Sequence, residues 1–459
     1  MNQALSDPVM GPQATIETLT ALLAVALLVA LAARRLRFPY TLALAIVGLA
    51  LGLSHLAPTV SLQPEVVLFI FLPALLFEGA WNIEMPALLA NWFIILLLAV
   101  PGLLIAVGVA TLTLALGAGF SPLDALLLSA IVSPTDPIAV IALLRKLGMS
   151  ARLRTIIEGE SLFNDGVGAV TFTITLSVLL ALRQAGASIS STQTLDLALR
   201  GAWLLIGGPL IGLALGFLVS RALRHIVDPL IETVATFITA YGVYLLADLA
   251  QTSGLLAVVM AGLMLGSYGR QVGLSDVARE PVDNVWDFVA YIATSLLFLA
   301  LGVQLGGSLT GRTLIPVLWA TLGVLVGRAI IVYGALLPYN AFARWYGLRR
   351  RGAPARGRPT PVPASWRPLI VLSGLRGALS IALALSLPPA LPNRGLLAGV
   401  VYGVVLITLL GQGIGMRALL PRWPGARDAV MSAAHASGHE GAPAEAPANA
   451  SSNPPTQEP

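Results

Sequence analysis

Apolar residues run along this chain in blocks of about twenty, the length a helix needs to cross a bilayer. Thirteen blocks stand out, at 14–33, 39–54, 64–80, 87–117, 122–147, 154–183, 200–223, 229–249, 253–268, 282–303, 312–338, 366–387 and 393–420, the second and ninth of them short. The pattern predicts an all-α polytopic membrane protein of about thirteen transmembrane helices. Composition agrees. Only 11% of the 459 residues are charged and the mean hydropathy is +0.85, whereas soluble domains carry about 25% charged residues.

The basic residues test the helix count, because Lys and Arg collect in cytoplasmic loops. With the N-terminus outside, the inner loops hold Arg34, Arg35, Arg37, Arg145, Lys146, Arg152, Arg154, Arg221, Arg224, Arg270, Arg279, the run from Arg344 to Arg367, and Arg417, Arg422 and Arg427. That places 21 of the 27 basic residues inside and four outside (Arg183, Arg200, Arg312, Arg394), with two left in spans. A miscounted helix would scramble this split. The expectation is a cell-membrane protein with its N-terminus outside and its C-terminus in the cytoplasm. The net charge of +5 then orients helices, and no nucleic-acid partner is expected. The first twenty residues lack a basic n-region and a small-residue cleavage site, so the first block is expected to remain as a span.

Residues 339–366 are rich in Arg, Pro and Gly and predict a mobile cytoplasmic loop within a transmembrane domain over 1–420. Ala, Pro, Ser, Gly and Glu dominate 421–459, a composition that builds no core and predicts a disordered cytoplasmic tail. The absence of cysteine removes thiolate chemistry. His55 and His225 flank predicted helices, while His435 and His439 lie in the tail, which disfavours a histidine metal site. No cofactor is expected, and the chain does not read as an enzyme.

A charge in mid-membrane is costly and marks a functional candidate. The fifth span contains Ser133-Pro134-Thr135-Asp136-Pro137 near its middle. Two prolines around Thr-Asp remove backbone donors and should unwind the helix there. Unwound backbone is tolerated in a membrane only where it is buried or lines a watery cavity, and freed carbonyls beside a carboxylate suit a hard cation. The sixth span opens with Glu158-Gly159-Glu160-Ser161-Leu162-Phe163-Asn164-Asp165-Gly166. Ser161 and Asp165 share one helix face, Glu160 and Asn164 the neighbouring one. The first pair offers a hydroxyl and a carboxylate to an ion, and Glu160 can point sideways to a buried cation. Glu158 sits nearer the basic loop as a solvated end charge.

Arg328 lies inside the eleventh span, and Arg376 inside the twelfth, within Ser373-Gly374-Leu375-Arg376-Gly377-Ala378. The glycines should loosen that helix as the prolines loosen the fifth. Each arginine should find a carboxylate. Glu78, late in the third span, is either a supporting acid or an interfacial residue. Glu232, Asp248 and Asp287 are expected to be solvated at span ends. Gly208, Gly212 and Gly216 form a small-residue stripe suited to close packing within the chain. The two interrupted spans lie seven helices apart, so six-helix halves would have inverted topology.

Taken in order, Thr135-Asp136-Pro137, Gly159-Glu160-Ser161-Leu162-Phe163-Asn164-Asp165, Arg328 and Gly374-Leu375-Arg376-Gly377-Ala378 resemble the NhaP/NHE-type monovalent cation:proton antiporters. The resemblance covers spans three to thirteen. It implies an antiporter fold with two crossed, broken helices, a dimerisation domain and a mobile core domain, hence a homodimer in membrane lipid. In that family the positions matching Asp165, Asp136, Ser161 and Thr135 surround the sodium ion, and those matching Glu160 and Arg328 pair. An Asn-Asp pair at 164–165 implies electroneutral exchange of sodium or lithium for protons. Asn164, Glu160, Arg328, Arg376 and Glu78 are supporting residues. A desolvated carboxylate makes a proton and a metal ion rivals for one negative site. A potassium-preferring antiporter uses the same groups. A cation channel would lack proton coupling, and the Tyr-Asp and Gly-x-Gly-Asp pairs of an intramembrane aspartyl protease are absent.

Overall fold

Helix occupies every predicted span in the computed structural model, which describes residues 12–36, 38–54, 64–146, 148–185, 191–308, 311–349, 360–389 and 391–419. In chain order the helices are α1 (Pro12–Leu36), α2 (Tyr40–Leu53), α3 (64–81), α4 (Met85–Ala118), α5 (Pro122–Val132), α6 (Ile138–Lys146), α7 (Ala151–Ala185) and α8 (Ser191–Leu223). There follow α9 (Pro229–Leu249), α10 (Gly254–Gly273), α11 (Asp276–Ser308), α12 (Gly311–Arg349), α13 (Arg367–Leu372), α14 (Ala378–Leu385) and α15 (Arg394–Leu419). Among the described residues nine helices are long and apolar enough to cross a membrane singly. The fifth and twelfth spans are each two short helices, α5 with α6 and α13 with α14, separated at the residues where proline and glycine had placed the interruptions.

Close backbone contact holds the short α2 in place. Its 14 residues reach only about 21 Å at 1.5 Å per residue. It lies against α11 with Gly48 and Gly52 facing Gly302 and Gly306; a Cβ on Gly48 would run into the Leu299 carbonyl. Likewise, side chains on Gly208 and Gly212 would strike the carbonyls of Ser253 and Ala257, so this stripe packs α8 against α10 within the chain. The outer faces of α1, α8 and α9 expose Leu27, Leu28, Leu210, Leu218, Leu230 and Ile238, as surfaces solvated by lipid should.

Two expectations change. Of the loop expected over 339–366, the first residues are helical, because α12 continues to Arg349, and 350–359 lie outside the described residues. Its far end is ordered by a strand-like pairing in which Asn340 Nδ2 donates to the Val362 carbonyl (2.8 Å) and Val362 N–H donates to Asn340 Oδ1 (2.7 Å). Arg152 adds a donor to the Pro361 carbonyl at 3.0 Å and another to Asn91 Oδ1 at 2.8 Å. Glu232 is not solvated. It is fully buried because three donors replace water around its carboxylate: the N–H of Asp228 (3.2 Å) and the N–H and hydroxyl of Ser275 (2.8 and 2.7 Å). It ties the turn before α9 to the turn before α11. The tail at 421–459, Arg37 and His55 lie outside the described residues.

Candidate ion site at the crossing of two broken helices

Helix α5 stops because Pro134 and Pro137 have no N–H to continue it. The extended stretch between them leaves carbonyls that must be satisfied elsewhere. Arg376 Nη1 donates to the carbonyls of Ser133 and Pro134, the latter at 3.0 Å. Ser380 Oγ of α14 donates to the Ile131 carbonyl at 2.7 Å. The Ser161 hydroxyl of α7 donates to the Thr135 carbonyl. Thus the second broken helix and the unbroken α7 supply the partners that the first broken helix lacks.

The two breaks are joined directly. Asp136 N–H donates to the Leu375 carbonyl at 2.7 Å. The Asp136 carboxylate then accepts from Ile138 N–H (3.1 Å) and Ala378 N–H (3.4 Å), the first residues of α6 and α14. One carboxylate therefore caps two half-helices, where unpaired N–H groups and the helix dipoles favour negative charge. Gly377 permits the approach, since a Cβ there would overlap the Asp136 carboxylate. Gly377→Ala is expected to displace that carboxylate, cut transport sharply and destabilise the protein by about 1–3 kcal/mol, the usual cost of overpacking. Transport in proteoliposomes and thermal unfolding measure the two effects; near-normal transport would show that the contact is slack.

On α7 the faces divide as expected. Asn164 and Thr135 pair reciprocally: Asn164 Nδ2 donates to Thr135 Oγ1 (2.7 Å) and Thr135 N–H to Asn164 Oδ1 (3.3 Å). Glu160 receives both terminal nitrogens of Arg328, with Nη2 to Oε2 at 2.8 Å. Arg328 also donates to the Ile370 carbonyl near the end of α13 (3.0 Å from Nη2). Asp165 differs from the other charged residues at the crossing. It accepts no hydrogen bond and forms no ion pair with a described residue. It lines a cavity of about 1150 Å³ together with Asp136, Ser161 and Thr135. That cavity extends to Arg34, Arg145 and Glu158, on the side where the basic loops lie. Glu78 is on the same wall, accepting from Asn82 Nδ2 at 2.6 Å.

One further expectation is corrected. Arg376 has no carboxylate within ion-pair distance among the described residues; carbonyls at the end of α5 take its charge instead. A helix C-terminus carries partial negative charge, which a search for acidic partners overlooks. The sequence reading also missed Ser380 and the close fit at Gly377. Ser380 gave a faint signal as a lone hydroxyl in an otherwise apolar half-helix; Gly377 gave none beyond being a glycine. No group of three or more His, Asp or Glu side chains able to hold a metal ion occurs among the described residues. The oxygens present, from two carboxylates, hydroxyls and carbonyls, are hard donors of the kind that hard cations take.

Comparison with known proteins follows the same lines. A family model described as sodium/hydrogen exchanger, transmembrane, matches residues 21–422. The low-affinity Na(+)/H(+) antiporter NhaS1 of Synechocystis sp. is 38% identical over 379 residues, covering 82% of this chain and 68% of the relative. The Na(+)/H(+) antiporter NhaP of Pseudomonas aeruginosa is 37% identical over 371 residues, 78% of this chain and 81% of the relative. The structure of the sodium proton antiporter MjNhaP1 from Methanocaldococcus jannaschii at pH 8 superposes with a TM-score of 0.68 at 20% identity, over 88% of this chain and 97% of that one.

Proposed function

This chain belongs to the sodium/hydrogen exchanger family, a family of transporters and not of enzymes, and we propose that it exchanges sodium or lithium for protons, one for one, at Asp165. The observation that carries this reading is the contrast between the two aspartates. Asp136 has its charge compensated by two helix ends and two N–H donors. Asp165 faces the cavity with no protein donor, so a bound ion must supply what the protein does not. Ser161 and Thr135 add oxygen lone pairs, and Asp136 a second carboxylate. Asn164 is neutral and engaged with Thr135, so the site offers one uncompensated charge. One proton or one monovalent cation satisfies it, which supports electroneutral exchange.

The coupling follows from electrostatics. An ion-free, charged site is costly to move through a low-dielectric slab, whereas a proton or a cation on Asp165 neutralises it. Only the loaded states cross, by motion of one helix group against the other. The distribution of basic residues supports an outside N-terminus and a cytoplasmic C-terminus, which makes the large cavity an inward-open one. A homodimer is part of the same reading. The test is reconstitution into acid-loaded liposomes with addition of sodium, lithium or potassium in turn. Alkalinisation of the lumen by sodium and lithium is expected; a response to potassium alone would make the protein a potassium-preferring exchanger, and charge movement without proton movement would make it a channel.

Competition also fixes a pH dependence. Below the pKa of the ion site, each pH unit should raise the half-saturating sodium concentration about tenfold, equivalent to about 1.4 kcal/mol, with the maximal rate unchanged. At high pH proton loading becomes limiting and the rate falls. The result is a bell whose acid limb moves to lower pH as sodium rises. Half-saturation measured at equal internal and external pH checks this; a sodium affinity that stays flat along the acid limb rules out competition at one carboxylate.

A further inference from the structure

At the crossing lies a second and much smaller cavity of about 10 Å³. Its polar wall is Ser133, Thr135, Glu160, Asn164, Arg328 and Arg376; its apolar wall comes from Leu98, Leu103 and Ile331. Leu98 and Gly102 bound a turn of α4 wound as π-helix around Pro101, and such turns open local space in a helix. Two atoms of the polar wall have no hydrogen-bond partner among the described residues: Ser133 Oγ and Arg376 Nε. Both residues are nearly inaccessible, Ser133 2% and Arg376 1% exposed. Unpartnered buried polar groups are rare, and here two of them line one space.

The geometry points to a single structural water bound in this cavity, accepting from Arg376 Nε–H and hydrogen-bonded to the Ser133 hydroxyl. Size selects the occupant. One water needs about 10–15 Å³ and two to four polar partners, so the cavity sits at the lower limit for one molecule and excludes a hydrated ion. Charge agrees, because Glu160 is paired with Arg328 and the Arg376 guanidinium leaves the wall net positive, which disfavours a cation. The water would complete the coordination of Arg376, whose Nη1 already holds the carbonyls of Ser133 and Pro134. It would thereby fix the segment that presents Thr135 and Asp136. The water site stands on the cavity and its two unpartnered atoms alone, whatever ion the protein carries.

The sign of one mutational effect separates a hydrated cavity from a dry one. In a dry cavity the Ser133 hydroxyl is an unpaired buried group, so Ser133→Ala removes a liability and stabilises the protein or leaves it unchanged. In a hydrated cavity the same change takes a ligand from the water and lowers the apparent melting temperature by about 1–3 °C, while Ser133→Thr, which keeps the hydroxyl, loses less. The full chain in nanodiscs is also to be labelled by X-ray radiolysis, which makes hydroxyl radicals from bound water. Leu98, 1% exposed, should then be oxidised well above Leu127 and Leu128, which are 0% exposed, lie on α5 and do not line the cavity, with Leu103 and Ile331 following Leu98. Destabilisation by Ser133→Ala together with selective oxidation supports the water site. A Ser133→Ala protein as stable as the parent or more so, or oxidation no greater than at Leu127 and Leu128, overturns it. Neither readout requires transport, so the outcome is distinct from the fate of the exchange reading.

Discussion

Asp165→Asn is expected to reduce cation–proton exchange to the level of protein-free liposomes while leaving the fold intact. The substitution preserves shape and removes the one carboxylate at the crossing that no described residue neutralises. Since no protein donor is bonded to Asp165, the change breaks no internal hydrogen bond. Stability should stay within about 0.5 kcal/mol of the parent, as for substitutions away from structural features, or rise slightly. Asp136→Asn should behave differently. The Asp136 carboxylate accepts from Ile138 N–H and Ala378 N–H, and an amide presents an acceptor to only one of them. It should therefore abolish exchange and also lose part of two helix caps, each cap being worth about 0.5–2 kcal/mol. Exchange assays beside thermal unfolding separate the two aspartates. Normal exchange by Asp165→Asn would remove the centre of the mechanism, and equal stability losses in both variants would contradict the division of roles between them.

The second large effect is on stability. Glu160 is 1% and Arg328 6% exposed, and their two-fold hydrogen bonding leaves neither charge isolated. Arg328→Ala strands the glutamate and leaves the Ile370 carbonyl with the Ser373 hydroxyl alone, so a loss of about 3–5 kcal/mol is expected, the usual cost of breaking a buried pair. The double variant Glu160→Gln with Arg328→Gln should recover part of it. Both charges disappear together, the two amides can bond each other, and the glutamine at 328 can still reach the Ile370 carbonyl. Unfolding of the parent, both single variants and the double variant forms a complete cycle. A double variant less stable than the sum of the singles would mean that the two residues do not act as partners. Sodium affinity should change less than stability, because neither residue lines the large cavity.

The structure also relates the two breaks to each other physically. A helix broken by proline in a membrane carries unpaired carbonyls at one end and unpaired N–H groups at the other. In this protein the other broken helix meets much of each deficit: Arg376 and Ser380 serve the carbonyls of α5, and Asp136 serves the N–H groups of α14 as well as those of α6. The crossing is consequently a reciprocal arrangement, and a change in one break is felt at the other.

Sequence alone determined the solvent, the all-helical class and the places where two helices fail. Those features are local. Twenty apolar residues in a row have one solvent that suits them, two prolines three residues apart stop a helix wherever it lies, and a charge in mid-span stands out by composition. The faces of α7 were legible for the same reason, because helical periodicity puts Ser161 beside Asp165 and Glu160 beside Asn164. Only tertiary structure decided the partners. Arg376 bonded to carbonyls and not to an acid, and Glu232 became a buried staple, because partners for these groups come from segments tens to hundreds of residues away. The distinction between Asp136, held by two helix ends, and Asp165, left open to the cavity, belongs to this second kind. Both are aspartates in apolar spans, and what separates them is which N–H groups the packing of α6, α7 and α14 brings within reach.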